Sequence, residues 1–133
     1  MAMTGWIGAA LKWGAMGSVG LMVVVASVPM AQAKLDAPPV PAEFGKGEAT
    51  FKAHCARCHG ERGVGTTQGP PLVHKIYEPT HHGDPAFQRA AANGVRAHHW
   101  QFGDMPRIDG VTPDDVDQIV KYVRWLQRQA GIM

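Results

Sequence analysis

The chain has 133 residues, with 13 Lys or Arg and 11 Asp or Glu, so its formal net charge at neutral pH is +2. So small a charge creates no strong electrostatic field and argues against nucleic acid as a partner. The length is enough for one domain with a small hydrophobic core.

Residues 1–33 have the pattern of a secretory signal peptide. A weakly basic start ends at Lys12 and is followed by an uncharged, largely apolar run. Ala31 and Ala33 supply the small residues that a signal peptidase recognises, which predicts cleavage after Ala33 and export to the periplasm. Cleavage would leave 100 residues with a formal net charge of +1. The alternative is an uncleaved membrane anchor, because the apolar run approaches the length that spans a bilayer.

The expected domain comprises residues 43–133, and a short segment separates it from the signal peptide. Residues 34–42 contain three prolines and show no apolar periodicity, which predicts an extended Pro-rich tether. Apolar residues and glycine recur at helical spacing from Glu43 to His54 and predict a first helix, in which Gly47 suggests close packing. A short helix is predicted to begin at Asp84 and to end near Gly94.

The last predicted helix has both a start and a stop signal. Thr112 can cap it, Pro113 suits its first position, and Asp115 stands at the capping-box spacing. Gly131 can end it. Its apolar residues form one stripe: Val116, Ile119, Val120, Tyr122, Val123, Trp125 and Leu126. We expect the first and last helices to pack on each other in a mostly α fold, since no segment alternates with the period of a strand.

Cys55, Ala56, Arg57, Cys58 and His59 form the motif C-x-x-C-H, the spacing for covalent attachment of a c-type haem. On a helical turn both sulfurs face one side and can form thioethers with the two vinyl groups of one haem edge. The imidazole of His59 can then bind the iron. Alternative uses of C-x-x-C are a disulfide, a thioredoxin-like redox pair or half of a zinc site. No β-branched run precedes Cys55, however, and no second C-x-x-C follows.

Met105 is the predicted second iron ligand. Ligation by imidazole and thioether is typical of electron-transfer cytochromes and raises the reduction potential. Of the seven methionines, five lie in residues 1–33 and Met133 is the last residue, so only Met105 falls within the expected domain. Pro106 restricts the backbone of Met105. The 46 residues from His59 to Met105 can pass from one haem face to the other. The alternative is that Met105 fills the core.

Taken together, these motifs resemble those of a class I c-type cytochrome, a small monohaem type related to the cytochrome subunits of cbb3-type oxidases. The resemblance covers about residues 44–129 and is carried by the following residues: Gly47, Phe51, Cys55, Cys58, His59, Gly69, Pro70, Leu72, Met105, Pro106 and Tyr122. It implies the cytochrome c fold, in which N- and C-terminal helices pack around one covalently bound haem.

The resemblance also implies two contacts. The first and last helices should cross where Gly47 and Phe51 meet Tyr122. The carbonyl of Pro70 should accept a hydrogen bond from Nδ1 of His59, which would fix the tautomer of the imidazole. The doubled proline at positions 70 and 71 leaves the choice of carbonyl open.

The resemblance does not explain the other six histidines: His54, His74, His81, His82, His98 and His99. They have three interpretations: solvated loop side chains, competition by His98 or His99 for the iron, or a surface copper or zinc site built from the two adjacent pairs. Three further residues carry donors for haem propionates, or are ordinary surface or packing residues: Tyr77, Arg96 and Trp100.

The sequence therefore predicts an exported carrier of single electrons, not an enzyme. An iron bound by both His59 and Met105 has no open position for a substrate, and the chain shows no other nucleophile or acid–base constellation. The expected partners are redox proteins: an oxidase, a dehydrogenase or another cytochrome. The alternatives are a membrane-tethered haem subunit of an oxidase or dehydrogenase complex, and a histidine-rich protein that binds copper or zinc.

Overall fold

The computed structural model describes residues 37–133. The predicted signal peptide lies outside the described residues, as do residues 34–36 of the predicted tether. Residues 38–42 belong to the compact unit Pro38–Met133. Within them, Val40 packs against the hydrophobic core, and the carbonyl of Pro41 accepts a hydrogen bond of 2.9 Å from the amide of Phe44.

The regular structure of residues 37–133 is helical. Four α-helices are present: α1 (Gly45–His54), α2 (Ala56–His59), α3 (Asp84–Asn93) and α4 (Pro113–Gln129). Three short 3-10 turns accompany them, at Ala42–Phe44, Glu61–Gly63 and Lys75–Tyr77. One isolated antiparallel bridge joins Val95 to Met105. The mostly α fold predicted from the sequence is thus confirmed. No helix within this part of the chain combines the length and the apolar character that crossing a membrane requires.

Helix α4 begins and ends where the sequence predicts. The hydroxyl of Thr112 accepts a hydrogen bond of 3.2 Å from the amide of Asp115, and the Asp115 carboxylate accepts one of 3.3 Å from the amide of Thr112. This is the reciprocal capping box. Beyond the helix, Gly131 adopts φ +68°, which ends the helical path. All seven apolar residues of the predicted stripe are buried, so the stripe is the inner face of α4.

Helices α1 and α4 cross at Gly47. A Cβ at this position would lie 2.8 Å from the carbonyl carbon of Gln118 and 2.9 Å from Cβ of Tyr122, so the two backbones approach closely only because Gly47 has no side chain. One turn later, Phe51 packs on Tyr122 with ring centroids 5.6 Å apart. Both rings are fully buried. The predicted packing of the first helix on the last is confirmed.

The sequence did not predict that α4 also buries a charge. Arg124 is only 5% exposed. Its guanidinium donates to the carboxylate of Asp84 at 2.8 Å, to the carbonyl of Tyr77 at 2.6 Å and to the carbonyl of His82 at 2.6 Å. Because a buried cation is costly unless its donors are satisfied, this set of partners explains how α4 accommodates it. Arg124 thereby holds residues 77–84 against the helix.

Gln127 acts in the same way and is fully buried. Its amide donates to the carbonyl of Leu72 at 2.8 Å. Both polar side chains stand four residues after an apolar residue of the stripe, Val120 for Arg124 and Val123 for Gln127. That helical spacing is the signal by which the sequence could have revealed them.

Candidate functional site

A cleft of about 680 Å³ lies in the compact unit, a volume within the range of roughly 300–1,000 Å³ for small-molecule and cofactor sites. Four of the predicted site residues line it: Cys55, His59, Pro70 and Met105. Cys58 is half-buried on α2 and is not among the lining residues. Residues 55–83, α3, residues 94–111 and the first turns of α4 all contribute to the walls, which are mainly apolar.

The C-x-x-C-H motif sits on consecutive helical turns, as its spacing predicts. The amide of Cys55 donates to the carbonyl of Phe51 at 2.8 Å, and the amide of His59 donates to the carbonyl of Cys55 at 2.9 Å. The two cysteines are not joined in a disulfide. Burial, together with the nearby Cys58, raises the pKa of Cys55 to about 11. A thioredoxin-like redox pair requires a thiol with a lowered pKa, so this environment argues against that alternative.

The protonation state of the His59 ring leaves Nε2 available to bind a metal. Its Nδ1 lies 2.8 Å from the carbonyl oxygen of Pro70. A carbonyl only accepts, so Nδ1 carries the proton and Nε2 keeps a lone pair. Burial lowers the pKa of His59, and the bond to Pro70 opposes this in part. The imidazole is therefore neutral at pH 7, as a metal ligand must be. The acceptor is Pro70, and not Pro71.

The loop that carries Pro70 is attached to the motif by hydrogen bonds. The hydroxyl of Thr66 donates to the carbonyl of Cys58 at 2.6 Å. The amide of Gly65 donates to the carbonyl of His59, also at 2.6 Å. These bonds use carbonyls at the end of α2 that have no partner within the helix. They fix the loop, and with it the Pro70 carbonyl, relative to the imidazole.

Met105 is held on a closed loop. Its amide and carbonyl exchange hydrogen bonds of 2.8 and 2.9 Å with those of Val95. Gly94 makes this pairing possible, because it adopts φ +75° and a Cβ there would lie 2.5 Å from the carbonyl oxygen of Met105. Inside the loop, the carboxylate of Asp104 accepts a bond of 2.8 Å from the amide of Ala97. The fold thus brings Met105 to the cleft that His59 lines.

The three predicted propionate donors, Tyr77, Arg96 and Trp100, also line the cleft. The indole Nε1 of Trp100 is buried and lies outside hydrogen-bonding geometry with any partner, although it is close enough to Tyr77 to affect the pKa of that phenol. Because an unpaired buried donor is costly, the wall provides a place for an acceptor such as a carboxylate.

The four paired histidines converge at the cleft as well: His81, His82, His98 and His99. Nε2 of His81 lies 3.2 Å from Nε2 of His99, although the two residues are 18 positions apart. The other two histidines have different surroundings. His54 is exposed on α1, and Nδ1 of His74 accepts a bond of 3.2 Å from the amide of Ile76.

These residues fit haem c. The mainly apolar walls suit a large aromatic macrocycle, and Cys55 lines the cleft, where its sulfur can form a thioether with a haem vinyl group. His59 offers a neutral imidazole nitrogen, Met105 offers a thioether, and Trp100 offers an unpaired donor for a carboxylate. The donor set is the one that haem iron takes in electron-transfer proteins.

Comparison with known proteins agrees with this assignment. A model of the cytochrome c family matches residues 44–127, which is most of the described chain. No curated protein and no solved structure gives a significant match. Members of the family bind haem and transfer electrons. On the family match, the C-x-x-C-H motif and the cleft that fits haem, the chain belongs to the cytochrome c family and binds haem c covalently through Cys55 and Cys58.

Proposed function

We propose that this cytochrome is a carrier of single electrons in which His59 and Met105 would hold the haem iron. The observation that carries the proposal is that both side chains line the same cleft, His59 from α2, which directly follows Cys55, and Met105 from the closed loop 95–105. When bound, haem supplies one iron that alternates between Fe(III) and Fe(II). No substrate is transformed, since two permanent ligands leave no open position.

The chain's own residues favour transfer with little rearrangement. The bond from His59 to Pro70 keeps the imidazole in one tautomer and makes it a stronger donor to iron. The bridge between Val95 and Met105 holds the thioether, which is a weak ligand, in a fixed loop. The thioether stabilises Fe(II) and so raises the reduction potential. Redox proteins are the partners that follow from this chemistry.

Replacing Met105 with leucine tests the ligand assignment. Leucine keeps most of the apolar volume and removes only the sulfur. We expect the oxidised protein to lose the weak far-red absorbance band that marks sulfur ligation of Fe(III), and the reduction potential to fall by on the order of 100 mV. Absorbance spectroscopy and a redox titration measure the two effects.

Met133 provides the matched control. It is the other methionine of the described residues and is half exposed at the C-terminus. The Met133→Leu variant should keep both the band and the potential. If the unmodified protein lacks the band at neutral pH, the ligand is not Met105, and His98→Ala and His99→Ala variants identify the imidazole that takes its place.

We further propose that the protein works in the periplasm, after removal of residues 1–33. The support is the sequence: a basic start, an uncharged apolar run and small residues before Lys34. N-terminal sequencing of the protein purified from its native host should give a chain that starts at Lys34 and is recovered in the periplasmic fraction. A chain that starts at Met1 and stays with the membranes would instead establish a tethered haem subunit.

A further inference from the structure

Three imidazoles outside the haem-ligand set lie together. His81, His82 and His99 each present one ring nitrogen, and these three atoms all lie within 4.8 Å of one another. Two nitrogens bound to one tetrahedral zinc ion at about 2.0–2.1 Å lie about 3.3 Å apart. The separation of 3.2 Å between Nε2 of His81 and Nε2 of His99 is therefore already that of two ligands on one ion.

The tautomer of His82 also favours metal binding. Its Nδ1 lies 2.7 Å from the carbonyl oxygen of Ile76 and must donate to it, so the lone pair is on Nε2. A hydrogen bond from the second ring nitrogen to a backbone carbonyl is the support that metal-bound histidines usually have. Between His81 and His99, one ring donates its Nε2 proton to the other. Metal binding needs that ring in its second tautomer, with the proton on Nδ1.

The backbone around the three imidazoles is held in place by the fold. The carbonyl of His82 accepts a bond of 2.6 Å from the buried guanidinium of Arg124. His99 stands on the closed loop 95–105, which the bridge between Val95 and Met105 defines. Two rigidly attached segments thus supply the ligands, and little ordering is required when an ion binds.

We propose that His81, His82 and His99 form a site for one divalent transition-metal ion, with zinc as the redox-inert representative. Three neutral nitrogen donors suit zinc, copper and nickel, whereas magnesium and calcium require oxygen ligands. The ion joins residues 81–82 to the loop 95–105, two segments that line the haem cleft. The proposal holds with either Met105 or His98 on the haem iron, and it requires only that His99 does not bind that iron.

Zinc binding to the oxidised, haem-loaded full-length protein tests the site. The protein carries no affinity tag and is first treated with a chelator. Equilibrium dialysis, with zinc and haem iron both determined by elemental analysis, should give one zinc per haem, and magnesium should not bind. Zinc should also raise the midpoint of thermal unfolding, since a ligand of the folded state stabilises that state.

Variants locate the ion. His81→Ala, His82→Ala and His99→Ala should each weaken zinc binding at least about tenfold and reduce the zinc-dependent rise in the unfolding midpoint. The matched control is His54→Ala, which removes an exposed histidine outside the group and should bind zinc like the unmodified protein. The haem absorbance spectrum and the unfolding midpoint without zinc show whether each variant has folded.

Two results overturn the proposal. The first is the absence of stoichiometric zinc uptake by the unmodified haem-loaded protein, which would mean that the imidazoles serve another partner, such as the haem carboxylates. The second is unchanged zinc affinity in all three correctly folded variants, which would place the ion elsewhere on the surface.

Discussion

A double variant with Cys55→Ala and Cys58→Ala is expected to retain no haem after extraction with acidified acetone. Without either sulfur no thioether can form, and haem held only by iron ligands is extracted. The same variant should lose most of its near-UV circular dichroism, because the mainly apolar walls of the cleft are then left without the macrocycle that they enclose. Haem staining of a denaturing gel provides a second measurement.

The single variant Cys58→Ala distinguishes a change in covalent haem attachment from a failure to fold. Cys55 lines the cleft and can still form one thioether. One vinyl group stays unreacted and extends the conjugation of the macrocycle. The reduced pyridine adduct should therefore absorb at a longer wavelength than that of the unmodified protein. Covalent haem in the double variant would contradict the assignment of both cysteines.

Replacing Gly47 with alanine should destabilise the protein more than a methyl group added at any other position of α1. The new Cβ overlaps the backbone of Gln118, and a backbone cannot rotate away as a side chain does. Helices α1 and α4 must then separate and loosen the packing of Phe51 on Tyr122. We expect the free energy of unfolding to fall by about 3 kcal/mol, which corresponds to a drop in the unfolding midpoint of roughly 12–24 °C.

Gly45 is the matched control for this prediction. It lies two residues earlier on α1, with φ −59°, and an added Cβ meets nothing within 4 Å. Gly45→Ala should therefore raise the free energy of unfolding by about 0.5–1 kcal/mol, since alanine loses less backbone entropy on folding. If the free energy of unfolding falls in Gly47→Ala and rises in Gly45→Ala, the close crossing of α1 and α4, and not helix propensity, determines the effect at Gly47. A neutral Gly47→Ala variant would contradict the close crossing.

The helices and the attachment motif could be predicted because their signals are local. The capping box at Thr112, the apolar stripe of α4 and the C-x-x-C-H spacing all lie within a few turns of chain. The sequence could predict that Nδ1 of His59 donates a hydrogen bond to the carbonyl of one of two adjacent prolines. It could not predict which one, since that depends on the course of the loop. The structure identifies Pro70.

The cleft walls were harder to predict because long-range polar contacts set them. Arg124 and Gln127 bind carbonyls of residues 72–82 that are more than 40 positions away. His81 lies close to His99 because the fold holds their two segments side by side. Both segments are irregular, so no periodicity in the sequence could have predicted this contact. Met105 was recognisable by elimination among the methionines, whereas the bridge to Val95 that presents it was not.

Arg124 and Gln127 hold residues 72–82 by their backbone, so the place of this segment does not depend on which side chains it carries. Three carbonyl oxygens, those of Leu72, Tyr77 and His82, receive the bonds. Every amino acid offers the same oxygen, so substitutions at Tyr77 or His82 leave the anchor intact. The side chains of this rim, those of His81 and His82 among them, can therefore change while the helix continues to hold the segment at the cleft.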